Sequence, residues 1–370
     1  VQTCALPICT ALPVGRAALV VLRVANGFSW NVVVYGIFPI RTDMSTAEDS
    51  KKGEQGWVPT AEEIIKQRSL FRRWVRADLS SDFPAENNRY HLYVSYACPW
   101  AHRALIVRKL KGLDRAITYD VVDWELTEGG WRFTGQPDRG TRDTVNKTKY
   151  LREVYELADN YYNGRITVPV LWDKKRGTIV NNDSSDIMRM MNSEFNALSI
   201  SEEQARLDLC PSHLKPKIDE FNSWIYESIN NGVYKAGFAR SQHSYDKAVR
   251  VLFEGLDRLE GVLSKSRYLC GDELTEADIK LFTTLIRFDK VYVGHFKCNK
   301  RRLIDYPNLW AYTRDIFQMP SVRDTVRFDH IEKHYQVSHK NLNPQGIVSI
   351  GPDINYDEPH GRHLKFGGKY

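Results

Sequence analysis

The apolar and polar positions of residues 88–192 alternate between strand-like and helix-like segments. Residues 89–95 and 116–122 are rich in β-branched and aromatic side chains, which predicts two strands. Between them, residues 99–111 predict a helix with a proline in its first turn and Gly112 at its end. This part of the chain therefore predicts a β–α–β unit.

The same region continues with a predicted hairpin and a further helix. Residues 168–172 and 178–180 have the composition of two short strands, and residues 186–192 predict the start of a helix. A β–α–β unit followed by a hairpin and a helix is the element order of a thioredoxin-like α/β domain.

Residues 201–330 show a helical pattern instead, because apolar side chains recur three and four positions apart. The sequence Thr-Glu-Ala-Asp at residues 275–278 is typical of a capping box that opens a buried helix. After His330, proline and glycine become frequent, as in loops. We predict an all-α domain followed by a C-terminal extension. The recurring apolar positions are Ile218, Phe221, Trp224, Ile225, Ile229, Val249, Leu252, Phe253, Leu256, Leu259 and Leu263.

The length of the chain exceeds what these two domains need. Of its 370 residues 42% are hydrophobic and 26% are charged, which is enough apolar sequence for a buried core. We therefore expect the surplus residues at both ends. The predicted segments are a presequence or non-native, disordered tail at 1–43, an N-terminal extension at 44–87, an α/β domain at 88–192, a helical domain at 193–330 and a C-terminal extension at 331–370.

The net charge of +6 is distributed unevenly along the chain. Residues 1–42 contain Arg16, Arg23 and Arg41 and no acidic residue, so half of the net charge lies there. The other half is spread among interleaved acidic residues, and the basic cluster at 297–302 is typical of a solvated face or a small-anion site. This distribution argues against a nucleic-acid groove.

The first 43 residues also bear on localisation. Residues 24–40 lack charge, but polar side chains and glycines interrupt the run, so it falls short of a transmembrane span. An arginine-bearing, acid-free segment is also typical of an organellar transit peptide. The six cysteines form no C-x-x-C pair, which indicates a reducing compartment. We expect a cytoplasmic protein without membrane contact, or a mitochondrial one if 1–43 is a genuine presequence.

Cys98 is the most informative residue, because it stands at the predicted junction of a strand and a helix. A thiol there faces free N–H groups and the positive end of the helix dipole, which favours the thiolate. A buried structural cysteine is the alternative. Three residues later, where a dithiol oxidoreductase has its resolving cysteine, the chain has Ala101. A mixed disulfide on Cys98 would therefore need an external thiol for its release, which points to monothiol chemistry with a small thiol such as glutathione.

Two further segments fit a bound thiol peptide. Pro169 opens an otherwise good strand, and a cis Val168–Pro169 bond would reconcile the two and leave the Val168 backbone free to pair with an extended peptide. An ordinary trans edge proline is the alternative. Asp183 and Ser184 precede a predicted helix, where both are typical caps. In this fold the Ser184 hydroxyl would also suit a carboxylate, and Asp183 would suit an ammonium group.

Six motifs stand out along the chain: YHLYVSYACPWAHR (90–103), GRITVPVLWD (164–173), NNGVYKAGFA (230–239), RFDKVY (287–292), HFKCN (295–299) and NPQGI (343–347). Together they resemble the glutathionyl-hydroquinone reductases, which are the xi class of glutathione transferases. The resemblance covers about residues 57–370, and the tail at 1–43 does not match. The family usually has glutamate where Asp183 stands, so the charge is kept but the reach is one methylene shorter.

The resemblance implies a thioredoxin-like domain, an all-helical domain and a homodimer. It implies that Cys98 attacks the sulfur of a glutathionyl-hydroquinone, that hydroquinone leaves, and that free glutathione then releases glutathione disulfide. By position it implies roles for two sets of residues. Glutathione would be held by Trp131, Arg165, Val168, Asp183 and Ser184, and the aromatic substrate would be met by Tyr234 and Tyr335.

Elementary chemistry gives these residues a rationale and an alternative. The Trp131 ring would cover a bound peptide, or pack locally, and Arg165 would bind a carboxylate, or form a surface salt bridge. Tyr234 and Tyr335 would hydrogen-bond and protonate a departing phenolic carbanion or ketone form, although lone tyrosines are usually core residues. His295 is a weaker candidate for the same substrate pocket.

Metal binding and two other functions are alternatives to this interpretation. The pairs His330 with His334 and His360 with His363 have no third ligand nearby, so we expect no metal. An omega-like glutathione-dependent thioltransferase or dehydroascorbate reductase is the second enzymatic hypothesis. A non-catalytic glutathione transferase-like interaction module is the third hypothesis, although such a module needs no thiol at this junction.

Overall fold

The computed structural model describes residues 70–78 and 80–367, together with three backbone strands near the start of the chain. It divides into two units, Val1–Trp57 and Val58–Tyr370. Most of the predicted N-terminal extension (44–87) lies outside the described residues.

The first unit contains an antiparallel sheet of β1 (Cys9–Val14), β2 (Ala17–Asn26) and β3 (Ser29–Pro39) in that order. These three strands lie within the segment 1–43 that we expected to be a disordered tail. Their composition fits strands, because β2 and β3 carry runs of valine, a residue that favours strands. That 1–43 is a presequence or a non-native segment stays a prediction.

The second unit begins with a mixed four-stranded sheet of β4 (Tyr90–Val94), β5 (Ile117–Val121), β6 (Val170–Asp173) and β7 (Thr178–Asn181). The strand order is β5-β4-β6-β7, with β4 parallel to β5 and the other pairs antiparallel. All five residues of β4 are buried. The predicted strands and hairpin are confirmed, with ends that differ by one or two residues.

Three helices accompany this sheet: α1 (Pro99–Leu110), α2 (Leu151–Ala158) and α3 (Ser184–Ser193). The predicted end of α1 is confirmed, since Gly112 has a φ of +61°, a conformation that other residues rarely adopt. Helix α2 was not predicted. Helix α3 begins two residues before the predicted Asp186, because the Asp183 side chain accepts hydrogen bonds from the N–H groups of Ser185 and Asp186.

The rest of the unit is helical, as predicted. The capping box of Thr275 and Asp278 is present at the start of α8. Two π-helical turns interrupt the helices, at Tyr226–Asn230 and Phe288–Tyr292. Helix α11 crosses the predicted boundary at 330/331, so the helical domain and the C-terminal extension share one continuous helix. The α-helices are α4 (Glu202–Arg206), α5 (Lys215–Ile225), α6 (Gly232–Gly237), α7 (Gln242–Leu263), α8 (Glu276–Leu285), α9 (Pro307–Phe317), α10 (Pro320–Arg323), α11 (Phe328–Ser338) and α12 (Arg362–Phe366), with 3-10 turns at Asn196–Leu198 and Leu303–Asp305.

Helix α1 packs against both α3 and α8. The start of α1 therefore lies where the sheet side of the unit meets its helical side. Among the described residues, no helix combines the length and the apolar character that a membrane crossing requires.

Candidate active site

Cys98 is the N-cap residue of α1 and precedes Pro99, the first helical residue. Its thiol is half-buried and lies 3.7 Å from the carbonyl oxygen of Val168, to which it donates. The backbone N–H groups of Trp100 and Ala101 face the sulfur. The predicted junction is confirmed, and Ala101, fully buried, stands in the place of a resolving cysteine.

The protonation of Cys98 differs from the expectation. The N–H groups of Ala101 and Trp100, and the charges of Arg287 and Arg103, all favour the thiolate. Burial acts in the opposite direction and is the largest effect, so the pKa of the Cys98 thiol is raised. The helix start therefore stabilises the thiolate as predicted, but desolvation outweighs it. The sequence could not indicate this, because the groups that cover the sulfur come from distant segments.

Val168 lies opposite Cys98, and the predicted cis Val168–Pro169 bond is confirmed. Asp183 fulfils its predicted role as a cap through one carboxylate oxygen, Oδ1, which accepts from two N–H groups. The other oxygen lies 3.5 Å from the Arg72 guanidinium. The Ser184 hydroxyl accepts a hydrogen bond from Arg103 at 3.4 Å. Because Arg103 lies on α1, it links the start of α3 to the helix that carries Cys98.

Trp131 and Arg165 have less direct relations to the thiol. The Trp131 ring is almost fully buried and stacks on the His334 ring, with centroids 5.2 Å apart. His334 lies on α11, so the predicted covering ring is held by the helical part of the protein. Arg165 precedes Val168 by three residues, and its carbonyl accepts from the Tyr162 hydroxyl at 2.8 Å.

The two predicted tyrosines meet although 101 residues separate them. The hydroxyl groups of Tyr234, on α6, and Tyr335, on α11, are 2.6 Å apart. Burial is the main cause that raises the pKa of both well above the ordinary value, so both are protonated near neutral pH. Tyr234 also lies within electrostatic range of Cys98. The structure therefore brings a thiol and two protonated phenols to one place.

Tyr292 is a third member of this group that sequence reasoning missed. Its hydroxyl lies 3.0 Å from that of Tyr335, and its side chain is fully buried. It belongs to the π-helical turn Phe288–Tyr292, a feature frequently found at functional sites. The sequence signal that could have identified Tyr292 is its position at the end of the RFDKVY motif (287–292). Arg287 of the same motif is also buried, directly behind Cys98.

His295 lies next to the tyrosines but does not bond to them. Its Nε2 is 3.1 Å from Nδ1 of His339, a residue that was not predicted, and its ring meets the edge of Tyr335. Burial lowers the pKa of His295 to about 4, so the ring is neutral near neutral pH. His295 therefore forms part of the wall behind Tyr335.

The histidine pairs that were weighed as metal ligands have other partners. His334 lies 2.7 Å from the carbonyl of Trp124, and Nδ1 of His360 accepts a hydrogen bond from the backbone N–H of Arg362 at 3.1 Å. Within residues 70–78 and 80–367, no three side chains of histidine, cysteine, aspartate or glutamate converge as a metal site would require. The absence of a metal from the functional protein stays a prediction.

Comparison with known families gives two matches along the chain. Residues 97–194 match the model of the glutathione S-transferase N-terminal domain, and residues 242–315 match that of the C-terminal domain. The first match spans Cys98, Val168 and Asp183. Together with the observed element order, these matches confirm the predicted fold class, an α/β thioredoxin-like domain followed by an all-α domain.

Comparison with individual proteins is more specific. The chain is 53% identical to glutathionyl-hydroquinone reductase YqjG of Escherichia coli over 83% of this chain and 94% of that protein. It is 46% identical to glutathionyl-hydroquinone reductase PcpF of Sphingobium chlorophenolicum over 75% and 87%. The glutathione-bound structure of YqjG superposes with a TM-score of 0.77 over 80% of this chain and 97% of that one, at 54% identity. The glutathione-S-transferase Xi of Phanerochaete chrysosporium gives 0.76 over 80% and 99%, at 50% identity.

Proposed function

The chain belongs to the glutathionyl-hydroquinone reductases, the xi class of glutathione transferases, and from this premise we propose that Cys98 is the residue on which its reaction turns. The enzyme uses glutathione to reduce glutathionyl-hydroquinones to hydroquinones. The observation that carries the assignment of Cys98 is its position: the thiol stands at a helix start, opposite the Val168 carbonyl and beside the hydroxyl pair of Tyr234 and Tyr335.

In the first step the Cys98 thiolate attacks the sulfur of the glutathionyl thioether. A disulfide bond forms between Cys98 and glutathione, and the bond between that sulfur and the ring carbon breaks. The electron pair stays with the ring carbon, which takes up a proton and leaves as hydroquinone. The sulfur is oxidised from thioether to disulfide and the aromatic product is reduced.

The proton in this step comes from the tyrosine pair. Because the pKa values of Tyr234 and Tyr335 are raised by burial, both hydroxyls carry protons before the reaction. Their hydrogen bond lets one phenol donate to the ring carbon while the other stabilises the phenolate that remains. Tyr292, which is hydrogen-bonded to Tyr335, extends the same chain.

In the second step a free glutathione thiolate attacks the glutathione sulfur of the mixed disulfide. Glutathione disulfide leaves, and the Cys98 thiolate is restored. The proton lost by this second glutathione balances the one that the tyrosine pair gave up. An external thiol is needed because Ala101 provides no internal one.

Glutathione is held on the sheet side of the site. The Val168 backbone faces the sulfur and would pair with the extended peptide, and Asp183 and Ser184 at the start of α3 would receive the ammonium and carboxylate groups of its γ-glutamyl end. Trp131 would cover the bound peptide, and Arg165 would meet a carboxylate. His295 would line the aromatic pocket behind Tyr335.

Turnover of a glutathionyl-hydroquinone by the wild type and by Cys98→Ala tests the assignment. We expect the variant to lose activity by on the order of 10³-fold or more, because it has no thiol at the start of α1 to form the mixed disulfide. Cys210→Ala, which removes another half-buried free thiol, is the matched control and should leave turnover unchanged. Substantial activity of the Cys98 variant would contradict the mechanism.

The assay also separates this function from an omega-like thioltransferase or dehydroascorbate reductase. A small disulfide substrate has no aromatic leaving group and makes no use of the tyrosine pair. Faster turnover of a simple mixed disulfide or of dehydroascorbate than of the glutathionyl-hydroquinone would favour that alternative.

The proposal includes a homodimer that works in the cytoplasm. Light scattering of the purified full chain tests the dimer, since a mass close to that of one chain would contradict it. Fractionation of cells tests the compartment, and a mitochondrial signal would indicate that residues 1–43 are a genuine presequence.

A further inference from the structure

Arg287 lies directly behind the loop that carries Cys98. Its side chain is fully buried, its Nε donates to the carbonyl of Ala97 at 2.9 Å, and its Nη2 donates to the carbonyl of Tyr96 at 3.0 Å. These two residues immediately precede the cysteine. Arg287 itself follows the end of α8, so a residue of the helical side fixes the backbone of the thiol loop.

The remaining nitrogen of Arg287 is also bound. Nη1 donates to the carbonyl of Thr283 at 2.6 Å and lies 3.1 Å from Nδ1 of His102. Burial, with the charge of Arg287 as a second cause, lowers the pKa of His102, so its ring is neutral. Nδ1 can then accept from Arg287, and Nε2–H can donate to the Thr325 hydroxyl at 2.8 Å. The guanidinium therefore has four hydrogen-bond partners: the carbonyls of Tyr96, Ala97 and Thr283 and the ring of His102.

Every partner of Arg287 is neutral. Within residues 70–78 and 80–367, no carboxylate lies within ion-pair distance of its guanidinium. A buried cation without a counter-charge is costly, and backbone carbonyls offset that cost only in part. Arg287 lies against the loop that carries Cys98, whose thiol acquires a negative charge during the reaction, and the charge of Arg287 favours that thiolate.

We propose that Arg287 is a positioning residue for Cys98, which holds the carbonyls of Tyr96 and Ala97 and supplies a fixed positive charge next to the site where the thiolate forms. The inference rests on the proposed function only in taking Cys98 as the nucleophile. The other groups that face the thiol are Arg103 on α1, the neutral phenol of Tyr234, and the N–H groups at the start of α1.

The test measures the pKa of Cys98 in the full chain, without any substrate. Thiolate formation is followed by ultraviolet absorbance and by the rate of iodoacetamide alkylation against pH. For the wild type and for each arginine variant, the signal of the same protein carrying Cys98→Ser is subtracted. For Arg287→Met we expect the pKa of Cys98 to rise by about one unit and alkylation at neutral pH to slow about tenfold. Arg287→Lys keeps the charge and should slow alkylation only about threefold.

Arg362→Met is the matched control. Arg362 is equally buried and donates to the backbone carbonyls of Leu263, Ser266 and Arg267, but it lies in the C-terminal extension. Its loss should lower stability and leave the pKa of Cys98 unchanged. An equal rise of the Cys98 pKa in Arg287→Met and Arg362→Met would show that the loss of any buried arginine destabilises the fold and raises this pKa. That result would overturn the proposal.

A folded Arg287→Met protein with an unchanged Cys98 pKa would also overturn it. If that variant does not fold, Arg287→Gln replaces it, since a glutamine can still donate to a carbonyl but carries no charge. We expect the same rise of about one unit for Arg287→Gln, and an unchanged pKa there would be decisive against the proposal. Because no substrate is used, a failure of hydroquinone turnover in the wild type leaves this measurement intact.

Discussion

The site has two sides that are built by different means. The thiol side, which consists of Cys98, Val168 and the start of α1, uses backbone groups: helix N–H groups, a carbonyl and a fixed loop. The tyrosine side, which consists of Tyr234, Tyr292 and Tyr335, uses side chains from three separate elements. The first side provides sulfur chemistry that any thiol–disulfide exchange would need. The second provides protons, which only a carbon leaving group requires.

Burial affects the two sides in different ways. On the tyrosine side it raises the pKa values and so keeps the hydroxyls protonated, which is the form that a proton donor needs. On the thiol side it raises the pKa of Cys98 and so opposes the reactive thiolate. On the thiol side, the helix N–H groups and the charges of Arg103 and Arg287 counteract this desolvation by favouring the thiolate. On the tyrosine side, the same desolvation favours the protonated form that the reaction uses.

Tyr335→Phe is the strongest test of this division. Removing the hydroxyl takes away one phenol and leaves the other two without their common partner, so we expect kcat on a glutathionyl-hydroquinone to fall about 10²-fold. Turnover of a simple mixed disulfide should be nearly unchanged, because the thiol side is intact. Tyr312→Phe is the control, since Tyr312 is also fully buried and donates to Asp278 at 2.8 Å. Equal losses on both substrates would contradict separate roles for the two sides.

The pH dependence of Cys98 alone examines the thiol side. Its pKa is raised in the folded protein, so at lower pH the thiol is protonated and unreactive. We expect its alkylation rate to climb about tenfold per pH unit and to level off only above the ordinary pKa of a thiol. Free glutathione, alkylated under the same conditions, serves as the reference. A Cys98 profile that levels off at a lower pH than that of glutathione would show that the helix start outweighs burial.

Tyr292→Phe measures how far the tyrosine side extends. The variant loses one hydrogen bond to Tyr335, which contributes about 1 kcal/mol, so we expect kcat to fall roughly fivefold. The mixed-disulfide activity should again be unaffected. A loss as large as that of Tyr335→Phe would mean that Tyr292 itself is the proton donor.

The two sides also differ in how well the sequence predicts them. Local composition predicts the cis bond before Pro169, the cap at Asp183 and the strand–helix junction at Cys98. The encounter of Tyr234 with Tyr335 came only from family resemblance, because hydrophobic periodicity identifies a buried helix face but not the helix that packs on it. Tyr292, His339 and Arg287 went unassigned for the same reason. The sheet of β1, β2 and β3 was not predicted, because its valine-rich run was interpreted as a failed membrane span and as part of a presequence or a non-native segment.

Asp183 gives the smallest expected effect, because it serves the fold and the ligand at once. Asp183→Ala removes the cap of α3, which should lower the free energy of unfolding by about 1 kcal/mol, and it also removes the carboxylate proposed to meet the ammonium of glutathione. Asp183→Ser keeps a capping oxygen and removes only the charge, so its stability should stay near that of the wild type. Because the side chain is partly exposed, we expect the KM for glutathione to rise only about threefold in both variants. Thermal unfolding and steady-state kinetics on the same two proteins separate the two roles. A serine variant with an unchanged KM would show that Asp183 acts only as the cap of α3.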